Sequence, residues 1–252
     1  MRMGSMKENS CVFICFASED RHTIAEPVAH HLKNYGIDIW YDRYSLLLGD
    51  NRFEKNLKEG AESCSYALII LSENTIKSKC AMEEIEIIKK EYILGKTTIF
   101  PILYEIAPDD LAFDLQWIKK VIFKEIVRNS GTREVCNHIA CKITEDILYA
   151  CEHQSLKDLL HLNRLPNVTT AILKTYLKVD ASNLNSRISL LYAAYLTLTY
   201  SKISKESYYM HIISKIYNRI ISEINLNLDI DYRELWLLEN AMCILCNIYL
   251  SS

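Results

Sequence analysis

The residues best suited to chemistry lie in Ser78-Lys-Cys-Ala-Met-Glu-Glu-Ile-Glu-Ile-Ile88. This stretch follows the apolar run Tyr66 to Leu71 and a polar connection, Glu73 to Lys77. An apolar β-type run, a polar loop and an amphipathic helix opening with carboxylates make one βα unit. In doubly wound sheets, ligands bind at the carboxyl ends of the strands, where such loops lie. A glutamate in the first turn of that helix therefore faces a ligand cleft. Glu84 is the candidate, with Glu83 as the neighbouring alternative. The competing explanation is that Glu83, Glu84 and Glu86 only complement the helix dipole, at about 0.3–1 kcal/mol each.

Other groups carry less. Cys80 at the helix start has the position of an activated thiol, but no histidine lies beside it in sequence, which favours a structural role. Cys136, His138 and Cys141 share a helix, yet their directions diverge and the spacing fits no common zinc pattern. Cys243 and Cys246 form a CxxC inside an apolar helical stretch, not ahead of a helix in a βαβ unit, and read as core. His30 and His31 sit on a helix with no ligand role implied. No metal site is expected.

The elements that position Glu84 alternate. Cys11 to Phe16 is a continuous apolar run, as for a strand buried on both faces. Arg21 to Tyr35 has helical spacing and stops at Gly36, a C-cap residue. Ile37 to Tyr41 is the second strand, and Phe53, Leu57 and Ala61 mark the next helix. After the strand Tyr66 to Leu71, the helix from Cys80 runs to about Leu94 and stops at Gly95. Thr98 to Tyr104 is a fourth strand whose Pro101 requires an unpaired side or a bulge. Asp109 to Trp117 is weakly helical, Val121 to Phe123 is a short fifth strand, and Thr132 to about Cys151 is helical. Strands and helices alternating in this way imply parallel pairing with right-handed crossovers. The expectation is a flavodoxin-like five-stranded parallel sheet. Neither a Gly-x-Gly-x-x-Gly nor a Walker loop is present.

Composition sets the outer bounds. The 252 residues carry a net charge of -3, and no basic stretch marks a nucleic-acid partner. The longest apolar run, Ile188 to Tyr200, is too short for a membrane span, and Met1 to Ser10 is too polar for a signal peptide. Nine cysteines, an odd number, sit largely in apolar runs. Cys11, Cys15, Cys64, Cys243 and Cys246 read as buried thiols in a reducing cytoplasm rather than as a disulfide framework. All six glycines fall at or before Gly131, so tight turns punctuate only the first half.

The motifs of that half resemble a known family. Phe13 to Asp20 (Phe-Ile-Cys-Phe-Ala-Ser-Glu-Asp) is similar to the first box of TIR domains, the Toll and interleukin receptor homology domains. Trp40-Tyr-Asp42 with Leu48-Gly-Asp50 resembles the second strand and its long loop. Leu71-Ser-Glu-Asn74 with Ser78 to Ile85 resembles the third strand and the helix bearing the family's Trp-x-x-x-Glu element. The resemblance covers residues 10–150. Some TIR domains cleave NAD at the nicotinamide–ribose bond, and others only assemble signalling complexes. The family glutamate maps onto Glu84, because Ile85 continues the pattern. The family tryptophan falls on Cys80, a departure that removes a stacking surface worth about 1 kcal/mol. The resemblance further implies that Phe16, Ala17, Ser18, Asp42 and Arg43 line the cleft. It gives Arg43 a phosphate to pair with, and it makes NAD a substrate with no cofactor needed. Arg43 reads equally as a solvated loop charge, and Asp42 as a turn residue. The loop Tyr44 to Asn51 is where self-association is expected.

From about Gln154 the pattern is helical throughout. Pro166 and Asn167 break it, Val168 to Lys178 and Ser182 to Tyr200 resume it, and Ser204 is placed to cap a helix from Lys205 to Asn225. Asp231-Tyr-Arg-Glu234 resembles a capping box opening the last helix. Residues 154–252 are expected to form an all-α domain for sensing, activator binding or oligomerisation, with no catalytic constellation of its own.

Overall fold

The structure, a computed structural model, describes residues 11–51, 53–200, 208–225 and 229–251. Packing divides these into two units. One holds residues 11–33 and 37–136; the other holds 34–36 and the chain from 137 onward.

The first unit is built on a parallel sheet of β1 (Val12–Cys15), β2 (Ile39–Trp40), β3 (Tyr66–Leu71), β4 (Thr98–Tyr104) and β5 (Lys124–Ile126), in the order β2-β1-β3-β4-β5. That is the doubly wound arrangement expected. Every residue of β1 and β3 is buried, which is why both are apolar without alternation. Pro101 is accommodated as anticipated: it pairs with Ile69 of β3, while the ladder to β5 begins only at Ile102.

Helices cover the sheet connections. After a 3-10 turn and a π-type turn over Ser18–Ala25 comes α1 (Glu26–Asn34), and Gly36 at φ +74° follows it as a left-handed stop. Next come the short α2 (Asp42–Ser45) and a wide π-type helix, Phe53–Ala61. The stretch Glu73 to Lys77, expected as a loop, is instead the helix α3 (Glu73–Lys77), because the Ser72 hydroxyl accepts from Thr75 N and caps it. Ser78 does the same for Ala81 N and starts α4 (Lys79–Ile93), which Gly95 (φ +68°) ends.

The fifth strand falls three residues later than expected. Val121 N bonds to Ile118 O, closing the preceding 3-10 segment, and Ile102 of β4 pairs with Lys124. Val121 and Phe123 are apolar because they pack against the core, not because they join the ladder.

The cysteine expectation also needs correcting. Cys11 and Cys64 form a disulfide, with Cα atoms 5.0 Å apart; the other seven form none. The reason is topological: each cysteine just precedes one of two adjacent strands, and Tyr66 N bonds to Cys11 O. Composition cannot reveal that adjacency.

In the second unit run α5 (Arg133–Tyr149, of which residues from 137 belong here), α6 (Leu156–His161), α7 (Asn167–Tyr176), α8 (Leu184–Thr199), α9 (Tyr208–Asn225) and α10 (Tyr232–Ser251). Its core is aromatic as well as aliphatic. Tyr195 stacks on Tyr217 at 4.3 Å, and the buried Tyr217 hydroxyl donates to Leu238 O. The capping box at α10 forms as read: Asp231 Oδ1 accepts from Glu234 N, and Glu234 Oε2 accepts from Asp231 N. Glu234 is fully buried and tolerates it because Asn137 Nδ2 also donates to it, at 3.0 Å. The expected cap at Ser204 lies outside the described residues. No described helix is long and apolar enough to cross a membrane.

Candidate functional site

The site forms where the carboxyl ends of β1, β2 and β3 meet the start of α4. Two bridges hold this edge. Cys15 at the end of β1 lies 3.6 Å, through its Sγ, from Ala81 O in the first turn of α4. Asp20, 3% exposed, accepts from Ser72 Oγ and from Asn74 Nδ2 at 2.7 Å. A carboxylate so deeply buried is stable only because both oxygens are bonded, and it fixes the loop after β1 to the loop after β3.

Glu84 lies in the second turn of α4, not the first; the helix itself starts one residue earlier than expected, at Lys79. It is 7% exposed, whereas Glu83 is exposed. Asn56 Nδ2 donates to Glu84 Oε1 at 2.6 Å, and Trp40 Nε1 donates to Asn56 Oδ1 at 3.1 Å. Trp40 is seated by Gly60. A Cβ there would lie 2.6 Å from Trp40 Nε1 and 2.9 Å from Phe13 Cε2. A chain of two hydrogen bonds thus orients the carboxylate from β2.

A second cluster is built on the segments that follow β1 and β2. Arg21 holds both oxygens of Asp42, at 2.8 and 2.7 Å. Its guanidinium sits over Phe16 and Tyr41, 5.2 and 5.8 Å from the ring centroids, and these two rings stack at 5.5 Å. The bidentate Asp42 bonds push the Arg21 pKa further above its ordinary value, against the opposing effect of desolvation, so it is a permanent cation. Arg21 was not among the residues singled out from sequence, nor were Trp40 and Asn56 as partners of Glu84. Only Trp40 carried a signal, by standing in the Trp40-Tyr-Asp42 motif.

The remaining sequence candidates are dispersed by environment. Ala17 is fully buried and Ser18 exposed, its hydroxyl donating to Glu19. Arg43 is exposed and paired with Glu26 at 3.0 Å. Cys80 is exposed on the first turn of α4. Bonds therefore join Phe16 and Asp42 through Arg21, and Glu84 to β2 through Asn56. Elsewhere, Cys136 lies against Val28 O and Cys141 against Arg233 O, both buried.

The fold and this edge define a parallel α/β sandwich with an oriented carboxylate near the carboxyl ends of its strands. Residues 12–127 match the family described as the TIR domain, and this part of the chain is a TIR domain. Similar curated proteins include the "NAD(+) hydrolase PdTIR" of Paracoccus denitrificans, 28% identical over 130 residues, which cover 51% of this chain and 42% of that one. The "2' cyclic ADP-D-ribose synthase BtTIR" of Bacteroides thetaiotaomicron is 30% identical over 99 residues, 39% of this chain and 34% of its own. The "NAD(+) hydrolase TcpA" of a Theionarchaea archaeon is 28% identical over 100 residues, 40% and 30%. The alignments thus span between 30% and 42% of these relatives' lengths. Among solved structures, the TIR domain of a Toll-related receptor from Hydra magnipapillata aligns with a TM-score of 0.38 and 20% identity, over 45% of this chain and 82% of that one.

Proposed function

We propose that this chain is a TIR-type NAD glycohydrolase that cleaves the nicotinamide–ribose bond, releasing nicotinamide and linear or cyclic ADP-ribose. The observation that carries the reading is the bonded carboxylate of Glu84 in α4. The relatives' names support it, being those of NAD hydrolases and a cyclic ADP-ribose synthase.

The chemistry asks for one carboxylate. Breaking the bond builds oxocarbenium character on the ribose, as in glycoside hydrolysis. The nicotinamide leaves as a neutral ring from an already cationic one, so no general acid is required. Glu84 stabilises the positive charge and holds the ribose hydroxyls, with Asn56 fixing the carboxylate's orientation in advance. Phe16, Ala17, Ser18 and Asp42 line the cleft, Arg43 meets a phosphate, and Cys80 borders the nicotinamide end. Self-association through Tyr44 to Asn51 completes the site between copies. Residues 154–252 sense an activator, and the biological setting is cytoplasmic bacterial anti-phage defence.

The test incubates the purified full chain with NAD and measures free nicotinamide, beside Glu84→Ala with matched circular dichroism. The expected result is release by the parent and a loss of at least about 100-fold in the variant. Equal release by both rejects the assignment. Chromatography of the products separates hydrolysis from cyclisation.

A second reading, a non-enzymatic TIR adaptor, draws on two observations. Cys80 leaves the family's tryptophan position without a ring, and Glu84 is only 7% exposed. Absence of turnover in a sample shown to be assembled and activated favours it.

A further inference from the structure

The helical unit carries a cavity that the TIR chemistry does not use. Tyr232, Trp236, Glu239, Asn240 and Cys243 recur at helical spacing along one face of α10. With Gln154 they line a cavity of about 460 Å³, within the size range of small-molecule sites. Two of these side chains, Tyr232 and Trp236, are large aromatics left exposed.

The charge lining the cavity is one-sided. Gln154 donates one amide hydrogen to Tyr149 O at 3.1 Å, which leaves its carbonyl oxygen as an acceptor beside a second N–H. Asn240, 6% exposed, turns its amide nitrogen toward Thr144 Oγ1 at 3.4 Å. That hydroxyl donates its own hydrogen to Ala140 O or Cys141 O, each at 3.0 Å, so the Asn240 assignment is fixed and its carbonyl oxygen is again the spare atom. Glu239 adds a carboxylate. One of its oxygens accepts from the Tyr176 hydroxyl at 2.7 Å. Arg187 donates to that same hydroxyl at 2.7 Å and makes a long ion pair with the same Glu239 oxygen, at 3.9 Å. Burial keeps the Cys243 thiol protonated and neutral. The named lining residues thus offer a negative charge, two amide carbonyls and two aromatic faces, and none of them is a cation.

We propose that this cavity is a binding site for a small organic cation, a protonated amine carried on an apolar or aromatic body. Such a ligand gains cation–π attraction from Trp236 and Tyr232 and a charge-assisted hydrogen bond to Glu239. A phosphate-bearing ligand would meet the Glu239 carboxylate, with no cation among the residues that line the cavity. The binding claim is independent of NAD cleavage; only a regulatory consequence would rest on the sensing reading of residues 154–252.

Calorimetry and thermal shift on the full chain test it, with phenethylamine and cyclohexylamine as cationic probes. 2-Phenylethanol serves as the neutral counterpart and ADP-ribose as the anionic arm. At least one cation is expected to bind more tightly than about 1 mM and raise the melting temperature, with the alcohol at least about tenfold weaker. Glu239→Gln, which keeps an acceptor for Tyr176, and Trp236→Ala should each weaken binding about tenfold, while Trp236→Phe retains it. Circular dichroism confirms that each variant is folded. The proposal is overturned if neither cation binds, if the alcohol binds as well, or if Glu239→Gln and Trp236→Ala leave affinity unchanged. Binding of ADP-ribose that Trp236→Ala abolishes would also overturn it.

Discussion

Asn56 donates its amide hydrogen to Glu84 across 2.6 Å, between two residues that are 5% and 7% exposed. Trp40 decides which way that amide faces. An indole N–H can only donate, so the Asn56 oxygen must turn to Trp40 and the amide nitrogen to Glu84.

The relay predicts a graded response. Asn56→Ala removes one donor from a buried carboxylate, at a cost of about 1–3 kcal/mol in stability. It should also lower kcat for nicotinamide release about tenfold, because the carboxylate loses its preset orientation. Trp40→Phe keeps most of the packing and should lose less. The double variant should be no worse in kcat than Asn56→Ala alone, since Trp40 acts through Asn56. Additive kcat effects would show that Trp40 matters for packing only.

Gly60→Ala tests the seat of Trp40. Alanine favours a helix over glycine by about 1 kcal/mol, so propensity alone predicts a gain. The new Cβ would instead stand 2.6 Å from the indole nitrogen and 2.9 Å from the Phe13 ring. Overpacking of that kind costs about 1–3 kcal/mol, so the expected outcome of urea unfolding is a net loss, with reduced turnover. A more stable variant would mean that Trp40 has room to shift.

Thiol labelling should single out Cys80. It is the exposed one of the seven cysteines outside the disulfide. Burial pushes the thiols of Cys141 and Cys246 up to about 12, and those of Cys151 and Cys243 upward as well. At pH ~8 those four carry almost no thiolate, the reactive form. A disulfide reagent on the native protein should titrate one fast group, and Cys80→Ser should remove it. Several fast groups would contradict the packing of the helical unit.

The same burial makes the helical unit sensitive to alkali. A thiol ionises near 9 when exposed, but Cys141 and Cys246 stay protonated to about 12 when folded. Tyr35, Tyr176 and Tyr217 are raised in the same direction by desolvation. Between those limits the unfolded chain releases protons that the folded chain retains, which pulls the equilibrium toward unfolding. Stability is therefore full below pH ~9 and falls as pH rises toward 12. Melting temperature against pH, followed by the helical circular dichroism signal, measures this; a flat curve over that interval would refute it.

Much of the fold was legible in the chain. The unbroken apolar runs of β1 and β3, the stops at Gly36 and Gly95, and the capping box at Asp231 and Glu234 are all local devices. So is the placement of Glu84 after the third strand. The misreadings were of another kind. Val121 and Phe123 look like a strand because core cover and ladder residues share an apolar character. Glu73 to Lys77 looks like a loop because five polar-rich residues give too short a window for periodicity.

The sequence by itself determined the order of elements, the parallel sheet and the position of Glu84 on the helix beyond the third strand, because period, cap and turn chemistry act over a few neighbouring residues. Only tertiary structure decided what that carboxylate touches. Asn56 lies 28 residues from Glu84 and 16 from Trp40, and Cys11 lies 53 from Cys64. Such pairings depend on which strands become neighbours, and nothing in either residue's local surroundings encodes them.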